Sequence, residues 1–271
     1  MAKTKSPRRT VSLAVIGLSV VVLLWLEICK PVLSDDPVTQ GLMAMTLTRG
    51  IGALVFFVLL LTLGYRVIHP FVKPVGRSLL WAVPALIVAV NNAPWLGLAS
   101  GAITVTGTPE QIAWFLGESL AIGLFEELAF RGVVLLMIAE RRHATRWDLL
   151  RAILLSSAIF AALHLTNLLS GSAPGAVLLQ LGYSFLIGAM CAVVLFKTAN
   201  IWLCVILHAV YDVGGNMVGK IATGQMWDTP TIVITAVLGV VTAVFYIVAF
   251  LRMRPAETDR LWTRTERADG E

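Results

Sequence analysis

Two adjacent carboxylates, Glu126 and Glu127, stand with Arg131 inside the otherwise apolar run Ala121-Ile-Gly-Leu-Phe-Glu-Glu-Leu-Ala-Phe-Arg-Gly132. Phe160 and His164 lie four apart in a second apolar run, and His208 and Asp212 lie four apart in a third. A carboxylate and imidazoles gathered at one buried, water-accessible place can activate water for attack or bind a metal ion. A charge at the centre of a bilayer costs a few kcal/mol at the least, so ionisable residues there mark function by default.

The elements that must position these groups are membrane helices. Hydrophobic residues make up 58% of the 271 positions and charged residues 14%, and mean hydropathy is +0.84. No soluble domain of this size needs that much apolar surface, so lipid is the solvent for most of the chain. Apolar windows of about 17 to 25 residues fall at 11–30, 50–69, 78–94, 111–138, 149–168, 174–197, 199–219 and 230–251. The expected fold is therefore all-α, a polytopic bundle of about eight transmembrane helices in a single domain, 1–271, with a tail at 252–271 that is expected to be solvated from Pro255 on. The third span carries Asn91, Asn92 and Pro94, which predict an early end. Lys3, Lys5, Arg8 and Arg9 precede the first run, Val11 to Ile28. That run is longer than a signal-peptide core and has no small-residue cleavage site after it, so an uncleaved span is expected. Cys29, Cys191 and Cys204 form no CxxC pair and read as packing residues.

Charge alternates between the connections. The N-terminus, the Arg66–Arg77 segment, the Glu140–Arg151 loop, the turn at Lys197 and the tail are basic. The Ser34–Gln40 loop carries Asp35 and Asp36, and the 95–110 loop has only Glu110. The positive-inside rule then places both termini in the cytoplasm of a multi-pass cell-membrane protein. The net charge of +5 reports topology, and no nucleic-acid partner is expected.

Side chains four apart on an α-helix share a face. Glu127 and Arg131 can pair along one helix, whereas Glu126 is rotated about 140° from Arg131 and is freer to point elsewhere. At 1.5 Å per residue, Glu126, His164 and Asp212 lie about 20 to 23 Å from their basic-side boundaries. His208 comes out at about 14 Å, so the depths are compatible, not equal. Taken singly, each group has a structural explanation: a helix–helix hydrogen bond for a histidine, a clamp for Glu127–Arg131, core packing for Phe160, imidazole orientation for His208–Asp212. Three spans carrying costly groups at similar depth for packing alone is a harder case to make. Glu118, two turns before Glu126, is a further acid that could line the same cavity.

Glu126-Glu127-x-x-x-Arg131, Phe160-x-x-x-His164 and His208-x-x-x-Asp212, in that order and each within a span, resemble the motif set of the CPBP family, the CAAX prenyl endopeptidases and bacteriocin-processing (Abi) proteins. The resemblance covers about residues 111 to 219, and Asp212 is within the family's Asn or Asp. It implies a hydrolase, an intramembrane endopeptidase of eight helical spans, with 111–219 as catalytic core and a membrane-associated protein or peptide as substrate. By analogy, Glu126 with His164 would activate water, and His208 with Asp212 would stabilise the oxyanion or complete a metal site. Glu127, Arg131 and Phe160 would order the site or hold substrate. The family has been described as metalloprotease and as metal-independent glutamate protease, so the cofactor is either a divalent metal such as zinc, held by Glu126, His164 and His208, or none. No HExxH is present. Two other functions use the same cluster: a non-enzymatic scaffold or bacteriocin self-immunity protein, and a proton-coupled transporter. The second lacks inverted repeats and paired broken helices.

Overall fold

The computed structural model describes position 17 and residues 32–261 apart from 71, 142 and 170. The expected first span, 11–30, lies outside the described residues, as does Cys29. What is described is mostly helical: α1 (Pro37–Leu63), α2 (Val75–Asn91), a short α3 (Trp95–Ser100), α4 (Pro109–Glu126), a π-helical stretch (Glu127–Leu135) running into α5 (Leu136–Arg141), α6 (Arg146–Leu163), α7 (Pro174–Thr198), α8 (Ile201–Asn216) and α9 (Thr229–Leu251). Four segments are long and apolar enough to cross a membrane: Pro37–Leu63, Arg146–Leu168, Pro174–Thr198 and Thr229–Leu251. Val75–Asn91 and Ile201–Asn216 are shorter apolar helices.

Local sequence sets the helix starts. Asp36 caps α1 by accepting from Thr39 N–H, with Pro37 at the first position. This is why the helix begins inside the expected Ser34–Gln40 loop. Thr108 with Gln111 and Thr145 with Asp148 form capping boxes for α4 and α6, and Asp228 caps α9. Gly64, at φ 75°, ends α1 in a left-handed turn that only glycine adopts at little cost. Pro84 sits inside α2, and there the Tyr246 hydroxyl enters the helical ladder. It donates to Trp81 O at 2.8 Å and accepts from Ala85 N–H at 3.2 Å. Backbone groups freed near a proline need such partners in lipid.

The connections segregate by charge. Lys73 Nζ donates to the carbonyls of Phe196 and Lys197 at 3.0 Å and of Glu257 at 3.3 Å. Tyr65 donates to Glu140, His143 approaches Asp259, and Arg146 donates to Leu251 O. These contacts bring the 64–77, 140–151, 196–200 and 252–261 segments to one end. Gln111 donates to Asp36 at 3.0 Å, and β1 (Ile103–Val105) pairs antiparallel with β2 (Ala222–Gly224), tying together connections that contain no basic cluster.

Two expectations need correction. The 95–110 connection is not plain loop, because α3 and β1 lie in it, and the strand pairing satisfies backbone groups that a loop would leave bare. The start of the tail is not simply solvated. Residues 255–261 form a 3-10 turn that buries Thr258 and Leu261 completely against the basic end.

Candidate functional site

The site is assembled where α4 and the π-helical stretch lie against α8. Close approach is set at Gly123: a Cβ there would lie 3.0 Å from Val205 O and 3.1 Å from Ala209 N. Both are backbone atoms that cannot rotate away. Gly123→Val is therefore expected to force the two helices apart, costing about 1–3 kcal/mol and misaligning the groups across the interface. Thermal unfolding in detergent measures the first effect, and residual activity of the folded fraction measures the second.

Across this contact His208 stands between both glutamates. Its Nδ1 lies 2.7 Å from Glu127 Oε1, and its Nε2 lies 3.4 Å from Glu126 Oε2 and 3.7 Å from Asp212 Oδ2. The short Nδ1 contact assigns that nitrogen as a donor to the carboxylate and turns Nε2 toward Glu126 and Asp212. Arg131 Nη1 lies 3.1 Å from Glu127 Oε1 as an ion pair, so the expected pair along the helix is present. Glu127 and Arg131 are buried, whereas Glu126 and Asp212 retain partial exposure.

Phe160 is the hub of the aromatic contacts. The Arg131 guanidinium carbon lies 4.3 Å from its ring centroid, and the rings of His164 and His208 meet it edge-on at 5.1 Å and 6.1 Å. Room for the guanidinium comes from Gly188, whose added Cβ would lie 3.3 Å from Arg131 Nη2. Glu127 Oε2, Arg131 Nη1 and Nη2, and Ser157 Oγ make no hydrogen bond among the described residues. Such a cluster is costly and constrains what else can pack there.

His164 is arranged differently from expectation. It closes α6, and its Nδ1 lies 3.1 Å from Phe160 O. Because a carbonyl only accepts, this contact makes Nδ1 the donor and turns Nε2 to the other side of the ring. No hydrogen bond or ion pair joins His164 to Glu126 among the described residues. Glu126 instead faces His208. The free-standing base expected at Glu126, facing His164, gives way to a Glu126–His208–Glu127 bridge. Its cause is physical: consecutive helical residues diverge enough to straddle one imidazole from opposite nitrogens.

Other residues fall outside or beside the site. Glu118 is buried and paired with Lys220 Nζ, 2.7 Å from each carboxylate oxygen. That salt bridge, formed with a residue from the 217–224 turn, removes it as a free acid. Tyr183 was not singled out from the sequence. It packs on Tyr211 at 6.2 Å and lies close enough to Asp212 and Glu126 to feel their charge. Nothing in its local spacing signals that placement, since it reaches the site from α7.

As for a metal, Glu126, His164 and His208 do not gather their donor atoms into one ligand set among the described residues. The group that does is Glu127, Cys191 and Cys204, all buried, with donor atoms within 4.8 Å of one another. Glu127 Oε1 already serves His208 and Arg131, and Cys204 Sγ donates to Cys191 O at 3.4 Å. This dry set offers no open position for water and does not fit a catalytic metal, which keeps one coordination site for solvent or substrate.

The geometry thus unites six of the seven expected residues around His208 and Phe160, with His164 at the edge of the aromatic hub. Residues 108–214 match the family model for type II CAAX prenyl endopeptidase, Rce1-like. This Rce1-like segment runs from the capping Thr108 to Gly214 on α8 and contains every site residue expected from the sequence. It agrees with the CPBP resemblance and implies a peptidase. The apolar helices fit a membrane protein. No curated protein and no solved structure matches the chain significantly.

Proposed function

We propose that the protein is an intramembrane endopeptidase of eight spans, both termini cytoplasmic, that hydrolyses a peptide bond of a membrane-associated protein or peptide. Residues 111–219 are its catalytic core within one domain, 1–271. The observation that carries this reading is the pairing of Glu126 with His208 Nε2, flanked by Asp212, inside the Rce1-like segment.

In this reading Glu126 accepts a proton from water as the oxygen attacks the scissile carbonyl carbon. His208, held by Glu127 through Nδ1, directs Nε2–H at the oxyanion, and Asp212 holds the imidazole charge beside it. Collapse breaks the C–N bond, and the leaving amine takes the proton. His164, its ring oriented by the Nδ1 contact with Phe160 O, relays protons between Glu126 and solvent at the partly exposed edge. Arg131 and Phe160 hold Glu127 in place.

The test is cleavage of a membrane-anchored peptide library by purified protein and by Glu126→Ala, His164→Ala and His208→Ala. Loss of activity in folded forms of all three is expected. Activity that survives all three sinks the mechanism, and full cellular function in these variants favours a scaffold or self-immunity role.

A further inference from the structure

At the basic end, Lys73, Arg77, Trp81, Lys197, Arg254 and Arg260 line a cavity of about 390 Å³ together with Glu257. Five cations therefore face one carboxylate. Glu257 is already engaged, by Lys197 Nζ at 3.1 Å and by Arg254 N–H at 2.9 Å. Lys73 Nζ bonds backbone carbonyls only, two of them at the C-terminal end of α7. No carboxylate pairs with Arg77, Arg254 or Arg260 among the described residues. Burial pushes the Lys73 amine down to about 8, with Lys197, Arg260 and Arg77 adding to the effect and Glu257 opposing it. The site is short of negative charge.

Its position says what would supply that charge. The Trp81 ring lies 5.0 Å from Lys197 Nζ, an arrangement suited to the membrane–water border, where tryptophan collects. On the same helix Val75, Leu79 and Leu80 are exposed at 46%, 51% and 72%, so apolar surface starts within a turn of the cations. A free phosphate has no use for that surface, whereas lipid tails do. We propose that this cavity holds the phosphate headgroup of an anionic phospholipid, with its acyl chains lying along the exposed face of α2. Basic pockets between helices on the cytoplasmic side are suited to such headgroups. The site is separate from the Glu126–His208 cluster and does not depend on the peptidase reading.

The test uses full-length protein in mild detergent, titrated with phosphatidylglycerol or phosphatidylcholine and read by native mass spectrometry. Arg77→Gln/Arg260→Gln is compared with the charge-matched Arg141→Gln/Arg151→Gln, whose arginines are exposed elsewhere on the same end. Phosphatidylglycerol binding should weaken roughly twenty-five-fold in the first variant, about fivefold per charge, and stay within about twofold in the second. The single Arg254→Gln, about fivefold weaker, covers the case in which the double variant folds poorly. Phosphatidylcholine should bind wild type and variants alike. Equal losses in the two double variants would mean diffuse surface attraction and overturn the site. Millimolar inorganic phosphate that displaces phosphatidylglycerol from wild type would overturn the lipid as occupant.

Discussion

Glu126→Gln is expected to lower peptide hydrolysis about a thousandfold while leaving thermal unfolding near that of the wild type. The amide keeps the size of the side chain but cannot accept a proton from water. Stability should survive because Glu126 keeps partial exposure and its ion-pair contact is a single one, 3.4 Å to His208 Nε2. An amide oxygen can still face that nitrogen as an acceptor, though a weaker one. Glu127→Gln is the informative contrast. Glu127 Oε1 serves both His208 and Arg131, so its loss should reduce stability and activity together. A rate for Glu126→Gln within tenfold of wild type, measured on folded protein, would remove it as the base.

The contrast between the two glutamates was only half legible in the sequence. Spacing gave the Glu127–Arg131 pair, which holds at 3.1 Å even though residues 127–135 wind as a π-helix and not as the α-helix assumed. Near four residues per turn, both windings keep that pair on one face. π-helical stretches are rare and concentrate at functional sites. Spacing did not show that His208 would lie between both carboxylates, because that depends on how closely α8 approaches α4. Gly123 permits the approach, and a glycine in an apolar run does not advertise which backbone it will meet. Phe160 illustrates the same limit. Its sequence context reads as core, and it is core, but its ring is the surface that Arg131, His164 and His208 share. The helical character and the gathering of basic connections at one end were readable because hydropathy and charge are local, whereas four of the described helices are long and apolar enough to span a membrane. The Glu118–Lys220 bridge was not, since its partners are far apart in the chain.

Arg131→Ala should have the largest effect on folding. Arg131 is 2% exposed and Glu127 is wholly buried. Removing the guanidinium leaves the buried Glu127 carboxylate, whose Oε2 already lacks a hydrogen bond, with His208 Nδ1 as its remaining partner and opens space against Phe160. Deleting one partner of a buried pair costs about 3–5 kcal/mol, mostly because the other charge stays buried and uncompensated. Arg131→Lys should recover little. An ammonium cannot lie flat on the Phe160 ring and reach Glu127 together as a guanidinium does. The double variant Glu127→Gln/Arg131→Met separates the explanations. It removes the stranded charge and refills the volume, so its unfolding temperature should exceed that of Arg131→Ala. Its activity should stay low, because His208 Nδ1 then meets an amide in place of a carboxylate and the imidazole loses the charge that steadies it. If the double variant is no more stable than Arg131→Ala, the cost lies in packing around Phe160. If it keeps wild-type activity, Glu127 does not orient His208.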